Sequence, residues 1–165
     1  MKAHAGFQHG FTIIEILVVI VIMGVFLTIA VPSFVTFTSS QKVKTASFDL
    51  YAAMMFARSE AIKRRQTVTV TPVSSDWKNG WTISTGAVNC VGGTALRTQD
   101  SLTGVVFTSA SNCVEYRLDG RLTTTAAVGV LIQPQIADST IQNRCVRVDL
   151  TGLPKSTQTT ATTCP

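Results

Sequence analysis

Between Phe11 and Val31 the chain reads FTIIEILVVIVIMGVFLTIAV, an apolar run with one ionisable side chain, Glu15. No other stretch restricts the fold as much. As a helix it extends ~31 Å at ~1.5 Å per residue, enough to cross a hydrocarbon core. A secretory signal has a shorter apolar core followed by small residues at a cleavage site. Here no A-x-A-like site follows. The chain continues through Val31-Pro32-Ser33-Phe34 into an amphipathic pattern, so the segment is expected to be retained. The residues before it, MKAHAGFQHG, carry Lys2 as their only fixed charge besides the terminal amine. The positive-inside rule keeps that end in the cytoplasm and sends the bulk of the chain outward.

Glu15 poses an electrostatic problem. A carboxylate inside a membrane helix is costly and calls for a partner, yet the segment holds no Lys or Arg. Three solutions remain open. The group is protonated, it snorkels from one turn inside the boundary, or its partner comes from another molecule.

The whole chain has 165 residues, one compact domain and a little more. Charged residues make up 14%, against about 25% in typical soluble domains, which argues against disorder. The net charge of +5 fits anionic partners such as headgroups or nucleic acid. Both histidines, His4 and His9, precede the apolar run. A chain cleaved after them has no imidazole for general-base catalysis, a Ser-His or Cys-His nucleophile, or a His-based zinc site. Glu115, Asp119 and Asp149 fall near strand ends or turns with nothing to pair them, and Asp76 and Asp100 read as loop residues. No enzyme, metal or cofactor is expected.

The four cysteines, Cys90, Cys113, Cys145 and Cys164, form no C-x-x-C pair. Their spacing suits disulfide loops better than zinc or a redox motif. Disulfides imply an oxidising compartment, in agreement with export. Three connectivities are open, of which neighbour pairing, Cys90–Cys113 and Cys145–Cys164, is favoured.

After Pro32 the apolar positions Val43, Ala46, Leu50, Ala53/Met54, Ala57 and Ala61 recur at helical spacing. Lys42, Lys44, Asp49, Arg58, Glu60, Lys63 and Arg64 occupy the other face. One helix is expected from Phe11 to about Arg65, with Lys63-Arg64-Arg65 complementing its negative end. The texture then turns to short β-branched runs at 67–71, 81–84, 105–107, 114–117, 128–132 and 146–150, with turns at Asn79-Gly80, Asp119-Gly120 and Thr151-Gly152. The fold expected is α+β, a long helix on a mostly antiparallel head. Trp77 and Trp81 read as core anchors. The polar tail Ser156–Pro165 would fray if free, and a Cys145–Cys164 bridge is expected to tether it beside the last strand.

Gly10-Phe11-Thr12-Ile13-Ile14-Glu15 ahead of the apolar run resembles the type IV prepilin signal. The resemblance implies that prepilin peptidase cleaves between Gly10 and Phe11 and methylates the Phe11 amine. It further implies that Glu15 pairs with the N-terminal amine of a neighbouring subunit, and that Gly24 and Pro32 take the places of a packing glycine and a helix-kinking proline. The organisation implied is a leader (1–10), a transmembrane and filament-core helix (11–40) and a globular head (41–165). Leu50-Tyr51-Ala52-Ala53-Met54-Met55-Phe56-Ala57-Arg58-Ser59-Glu60-Ala61-Ile62, together with Asn79-Gly80-Trp81, Arg117-Leu118-Asp119-Gly120-Arg121 and Cys145-Val146-Arg147-Val148, is similar to the GspH/FimT/FimU family of minor pilins and pseudopilins.

The resemblance implies a minor type IV pilin at or near the pilus tip that supports priming of assembly. Its partners would be other major and minor pilins and prepilin peptidase. It would reside in the inner membrane, head in the periplasm, until it enters a surface pilus. One alternative is a DNA-binding minor pilin of natural transformation. FimT-type relatives use a G-R-x-R motif for this. The matching stretch here is Gly152-Leu153-Pro154-Lys155, with leucine in place of the first arginine, so a DNA site would draw on Arg121, Arg144, Arg147 and Lys155. The other alternative is a minor pseudopilin of a type II secretion system.

Overall fold

The computed structural model describes residues 11–87, 89–136 and 139–164. Its first element is α1, Ile13–Arg64. The chain separates into two compact units, Met1–Val35 and Thr36–Pro165, so α1 contributes to both.

In the first unit, the described apolar side chains of α1 are exposed, from Ile13 and Ile14 through Leu17, Val21, Met23 and Phe26 to Val31. By length and composition α1 can cross a membrane. The helix continues through Pro32, and the described part of the chain has no break there.

The head builds on the second half of α1. Val43, Ala46, Leu50, Ala53, Met54, Ala57 and Ala61 are all buried. They form one stripe because residues three and four apart share a helix face. Burying Leu50 or Met54 contributes roughly 1.5–3 kcal/mol each. Glu60, which the spacing assigned to the polar face, is also buried. It is tolerated there because Lys63 and Arg64 pair with it one turn on.

Eight strands follow among the described residues: β1 (Val68–Pro72), β2 (Trp81–Thr85), β3 (Thr94–Gln99), β4 (Val105–Ser109), β5 (Val114–Tyr116), β6 (Val128–Pro134), β7 (Asn143–Val148) and β8 (Pro154–Thr159). They form two antiparallel sheets, ordered β3-β2-β1-β5 and β4-β6-β7-β8. Both sheets share one core with α1: Val68, Val70, Ile83 and Tyr116 from the first, and Val105, Val130, Ile132, Val146 and Val148 from the second. Trp77 and Trp81 are buried with ring centroids 6.3 Å apart.

Two strands differ from the sequence expectation. β3 was not anticipated, because it is an edge strand whose side chains are mostly exposed and so shows no apolar alternation. Ser156–Thr159, expected to be tethered beside the last strand but not to be a strand itself, lies within β8 and pairs with β7 along its length, Asn143 opposite Thr159 through Val148 opposite Pro154. Backbone pairing needs no apolar side chains, so a threonine-rich edge carries no sequence signal. β7 also begins earlier than expected and ends at Val148; Asp149 and Leu150 belong to the turn.

The structure joins Cys90 to Cys113 and Cys145 to Cys164, with Cα–Cα distances of 6.2 Å and 5.3 Å. The second bridge brings the chain after β8 over the outer face of the second sheet. A Cβ on Gly129 would meet Cys164 Sγ at 2.8 Å, so only glycine leaves room for it. Beneath lie Leu131 and Cys145, register partners on β6 and β7, both buried although they face away from the main core.

Candidate functional site

The first candidate site is the start of α1. Thr12 precedes the first helical residue and forms a capping box with Glu15. The Thr12 amide donates to Glu15 Oε2 at 3.0 Å, the Thr12 hydroxyl donates to the same oxygen at 2.9 Å, and the Glu15 amide donates to Thr12 Oγ1 at 3.3 Å. Among the described residues Glu15 has no cation beside it. The T-x-x-E spacing is a helix-start signature legible in the sequence, and it adds a local hydrogen-bonding role for Glu15 to the three solutions considered for its charge. Phe11 is exposed, while Gly10 and the rest of the leader lie outside the described residues. At Gly24 an added Cβ would meet no atom of this chain within 4 Å.

The four candidate DNA-contacting residues divide between the two faces of the second sheet and the Arg117–Arg121 turn beside it. Arg147 and Lys155 are register partners on β7 and β8, both exposed on the outer face. Arg144 alternates with them, sharing the inward face with Val146 and Val148, and lines hollows beside α1. Arg121 closes the Arg117–Arg121 turn, its amide bonded to Asp119 Oδ1 at 3.1 Å.

That turn meets the β7–β8 turn. Gly152 has φ +80, and a Cβ there would lie 1.9 Å from the Gly120 carbonyl oxygen. A side chain is excluded both by the left-handed backbone and by this contact. Asp149 organises the β7–β8 turn, its Oδ1 accepting from the Thr151 amide at 2.9 Å, the Thr151 hydroxyl and the Leu153 amide at 3.2 Å. The Thr151 hydroxyl, followed by the backbone amides and Lys155, holds the Asp149 carboxyl below its ordinary range. Glu60 is likewise held low, first by its hydrogen bond from Arg64 and then by the charges of Lys63 and Arg64, against the opposing effect of burial. Both carboxylates are thus bound into local structure. No cluster of metal-ligating side chains occurs among the described residues.

Comparison with known proteins agrees with this architecture. Residues 46–152 match the family described as type II transport protein GspH, and residues 1–31 match the prokaryotic N-terminal methylation motif. A fimbrial protein of Pseudomonas aeruginosa is 32% identical over 79 residues, covering 47% of this chain and 51% of that protein. The chain thus spans about half the length of the curated relatives it matches. The type IV minor pilin FimU of Pseudomonas aeruginosa superposes with a TM-score of 0.63 at 18% identity, covering 78% of this chain and 96% of FimU. The minor pseudopilin EpsH of the Vibrio cholerae type 2 secretion system superposes with a TM-score of 0.54 at 12% identity, covering 71% of this chain and 97% of EpsH. The match to the GspH family covers more than half of the chain, and the α+β pilin fold is common to it and to both solved structures. The chain therefore belongs to the type II transport protein GspH family and carries the prokaryotic N-terminal methylation motif at its start.

Proposed function

We propose that this chain is a minor type IV pilin that assembles at or near the pilus tip and helps to prime its growth. The observation that carries this reading is the start of α1, where a helix exposes apolar residues on every side and holds one carboxylate, Glu15, with no cation beside it among the described residues. Such a surface needs a lipid or protein environment. Prepilin peptidase would cut after Gly10 and methylate Phe11, leaving a terminal amine four residues from Glu15. In a helix bundle the amine of one subunit neutralises Glu15 of the next, which rewards one axial register. The open surface at Gly24 supports close approach by a neighbouring helix. Before assembly the protein would wait in the inner membrane with its head in the periplasm, where both disulfides form.

A pilus is favoured over a type II secretion pseudopilus by the basic charge, the two disulfides and the fimbrial relative. DNA binding is the weaker reading. The adjacent Arg147 and Lys155 favour it, while Leu153 and the inward-facing Arg144 do not.

The deciding experiment is fractionation of sheared surface filaments from the native host, with mass analysis of the chain's N-terminus. A processed chain starting at methylated Phe11, recovered in pili and lost with Glu15→Val, is the expected result. A chain retained in cells whose deletion abolishes protein secretion but leaves piliation normal would transfer it to the pseudopilus.

A further inference from the structure

We propose that the hollow between the inward face of β7–β8 and the first turns of α1 in the head binds one phosphate-type anion. The hollow measures about 330 Å³, and its lining residues all belong to the second unit. Arg144 on β7 and Lys44 on α1 both line it, and no carboxylate among the described residues does. Strand alternation commits Arg144 to this side of the sheet, with Val146 and Val148. It is half-buried there and forms no ion pair with a described residue. Two cations sharing one partly dehydrated space repel each other, and an anion between them turns that repulsion into attraction.

The neutral side chains identify the class of anion. The amides of Gln41, Gln142 and Gln158 and the hydroxyl of Ser40 stand around the two cations. Gln158 on β8 is the register partner of Arg144, so strand pairing sets guanidinium and amide side by side. The planar fork of an arginine matches two phosphate oxygens, and a lysine ammonium adds a point charge. The amides and the hydroxyl can donate to the oxygens that remain. A carboxylate has two oxygens and would leave most of these donors idle. Duplex nucleic acid presents phosphates in rows and needs a track of cations. Arg147 and Lys155 lie on the opposite face of the sheet, so the hollow offers a single place and not a row.

Two sources carry this chemistry, a phospholipid headgroup and free phosphate. Chain length favours the headgroup. Counted along the chain, a helix from Phe11 to Gln41 extends ~45 Å at ~1.5 Å per residue, the thickness of a bilayer with its headgroup layers. The residues that α1 contributes to the hollow thus follow directly on the stretch needed to cross a bilayer. An anionic headgroup would supply the missing counter-charge while the chain waits in the membrane. That the source is a lipid rests on the membrane reading above; the phosphate chemistry does not.

The test is native mass spectrometry of the full-length chain held in an uncharged sugar detergent. Separate arms add phosphatidylglycerol, inorganic phosphate, acetate and a short DNA duplex. The expected result is one phosphatidylglycerol retained per chain. Retention falls about tenfold or more in Lys44→Gln with Arg144→Gln, as expected for losing two charge-assisted contacts. Lys78→Gln with Arg97→Gln removes the same charge elsewhere on the head and leaves retention unchanged. Inorganic phosphate bound with the same dependence on Lys44 and Arg144, without lipid retention, upholds the site and assigns it to free phosphate. Retention that survives in the Lys44 and Arg144 variant or falls equally in the Lys78 and Arg97 variant overturns the proposal. So does acetate bound as well as phosphate, a DNA duplex whose binding is lost with the same two residues, or no binding in any arm. Protease resistance and non-reducing mobility establish that the head of the variant is folded. If it misfolds, Lys44→Gln alone decides, since that side chain is exposed: a fall of about threefold is expected, and no fall overturns the site. Filament fractionation reports separately on assembly, so failure of one reading is distinguishable from failure of the other.

Discussion

Arg58 on α1 donates from Nε to the carbonyl oxygen of Gly120 at 3.1 Å, a contact between residues 62 apart in the chain. Gly120 in turn receives the close approach of Gly152. One side chain thus links the helix to the 117–121 turn, and that turn to β7–β8. The sequence segments Ala57-Arg58-Ser59-Glu60-Ala61 and Arg117-Leu118-Asp119-Gly120-Arg121 are two halves of one structural contact. Replacing Arg58 with Ala leaves the half-buried Gly120 carbonyl without this donor, at a cost of about 1–3 kcal/mol. Thermal unfolding of the head should fall by several degrees, while Arg58→Lys should recover part of the loss.

Gly152→Ala and Gly24→Ala should have opposite profiles. At Gly152 the new methyl collides with backbone and the φ of +80 is strained, so the head should lose stability by more than about 2 kcal/mol. At Gly24 the methyl meets nothing in this chain, so folding of the head should be untouched and only incorporation into filaments should fall. Denaturant unfolding and filament yield, measured on both variants, separate the two.

Tyr116→Phe should be neutral or stabilising. The Tyr116 side chain is fully buried and its hydroxyl has no hydrogen-bond partner among the described residues. Burial drives its pKa upward, so it stays neutral through the accessible range. Removing an unsatisfied buried hydroxyl removes a desolvation cost. A loss above about 1 kcal/mol, the net value of a typical hydrogen bond, would mean the hydroxyl is bonded after all.

Replacing Cys145 and Cys164 together with serine should cost roughly 3 kcal/mol by the chain-entropy account of a loop of this size. It should also uncover Leu131. Increased binding of a hydrophobic dye, or proteolysis after β8 in the variant alone, would register the release of the strap. A variant as resistant as the parent would show that the chain after β8 needs no bridge to stay in place.

Acid should weaken the head through Glu60. Its native pKa lies below the ordinary value of 4.5, so its contribution is complete above that pH. The contribution is lost as pH falls through the native value. Glu60→Gln should therefore flatten the acid limb of the stability curve while lowering stability at neutral pH. A parent and variant with parallel curves below pH 4.5 would refute the assignment.

Much of this was legible in the chain itself. The apolar run with Glu15, the stripe from Val43 to Ala61 and the alternation at Val68–Thr71 each obey a local rule, because helix and strand periodicities are set by backbone geometry. The T-x-x-E capping box was equally local and could have been read. β3 and β8 could not, since their side chains are mostly exposed and pairing through a neighbour's amides and carbonyls leaves no apolar alternation, which the edge strands β4 and β5 retain.

The division follows from the range of the forces. The sequence by itself determined that α1 is long and apolar at its start, that a β-rich head follows, and that four cysteines are spaced for disulfide loops. Those properties depend on residue type and spacing within a few turns. Only the tertiary structure decided that Arg144 turns inward while Arg147 and Lys155 face outward together, that Gly129 makes room for Cys164, and that Phe48, Met55 and Ile62 stay uncovered. Each of those depends on contacts between residues distant in the chain, where packing and register select among side-chain arrangements that local preference leaves equal.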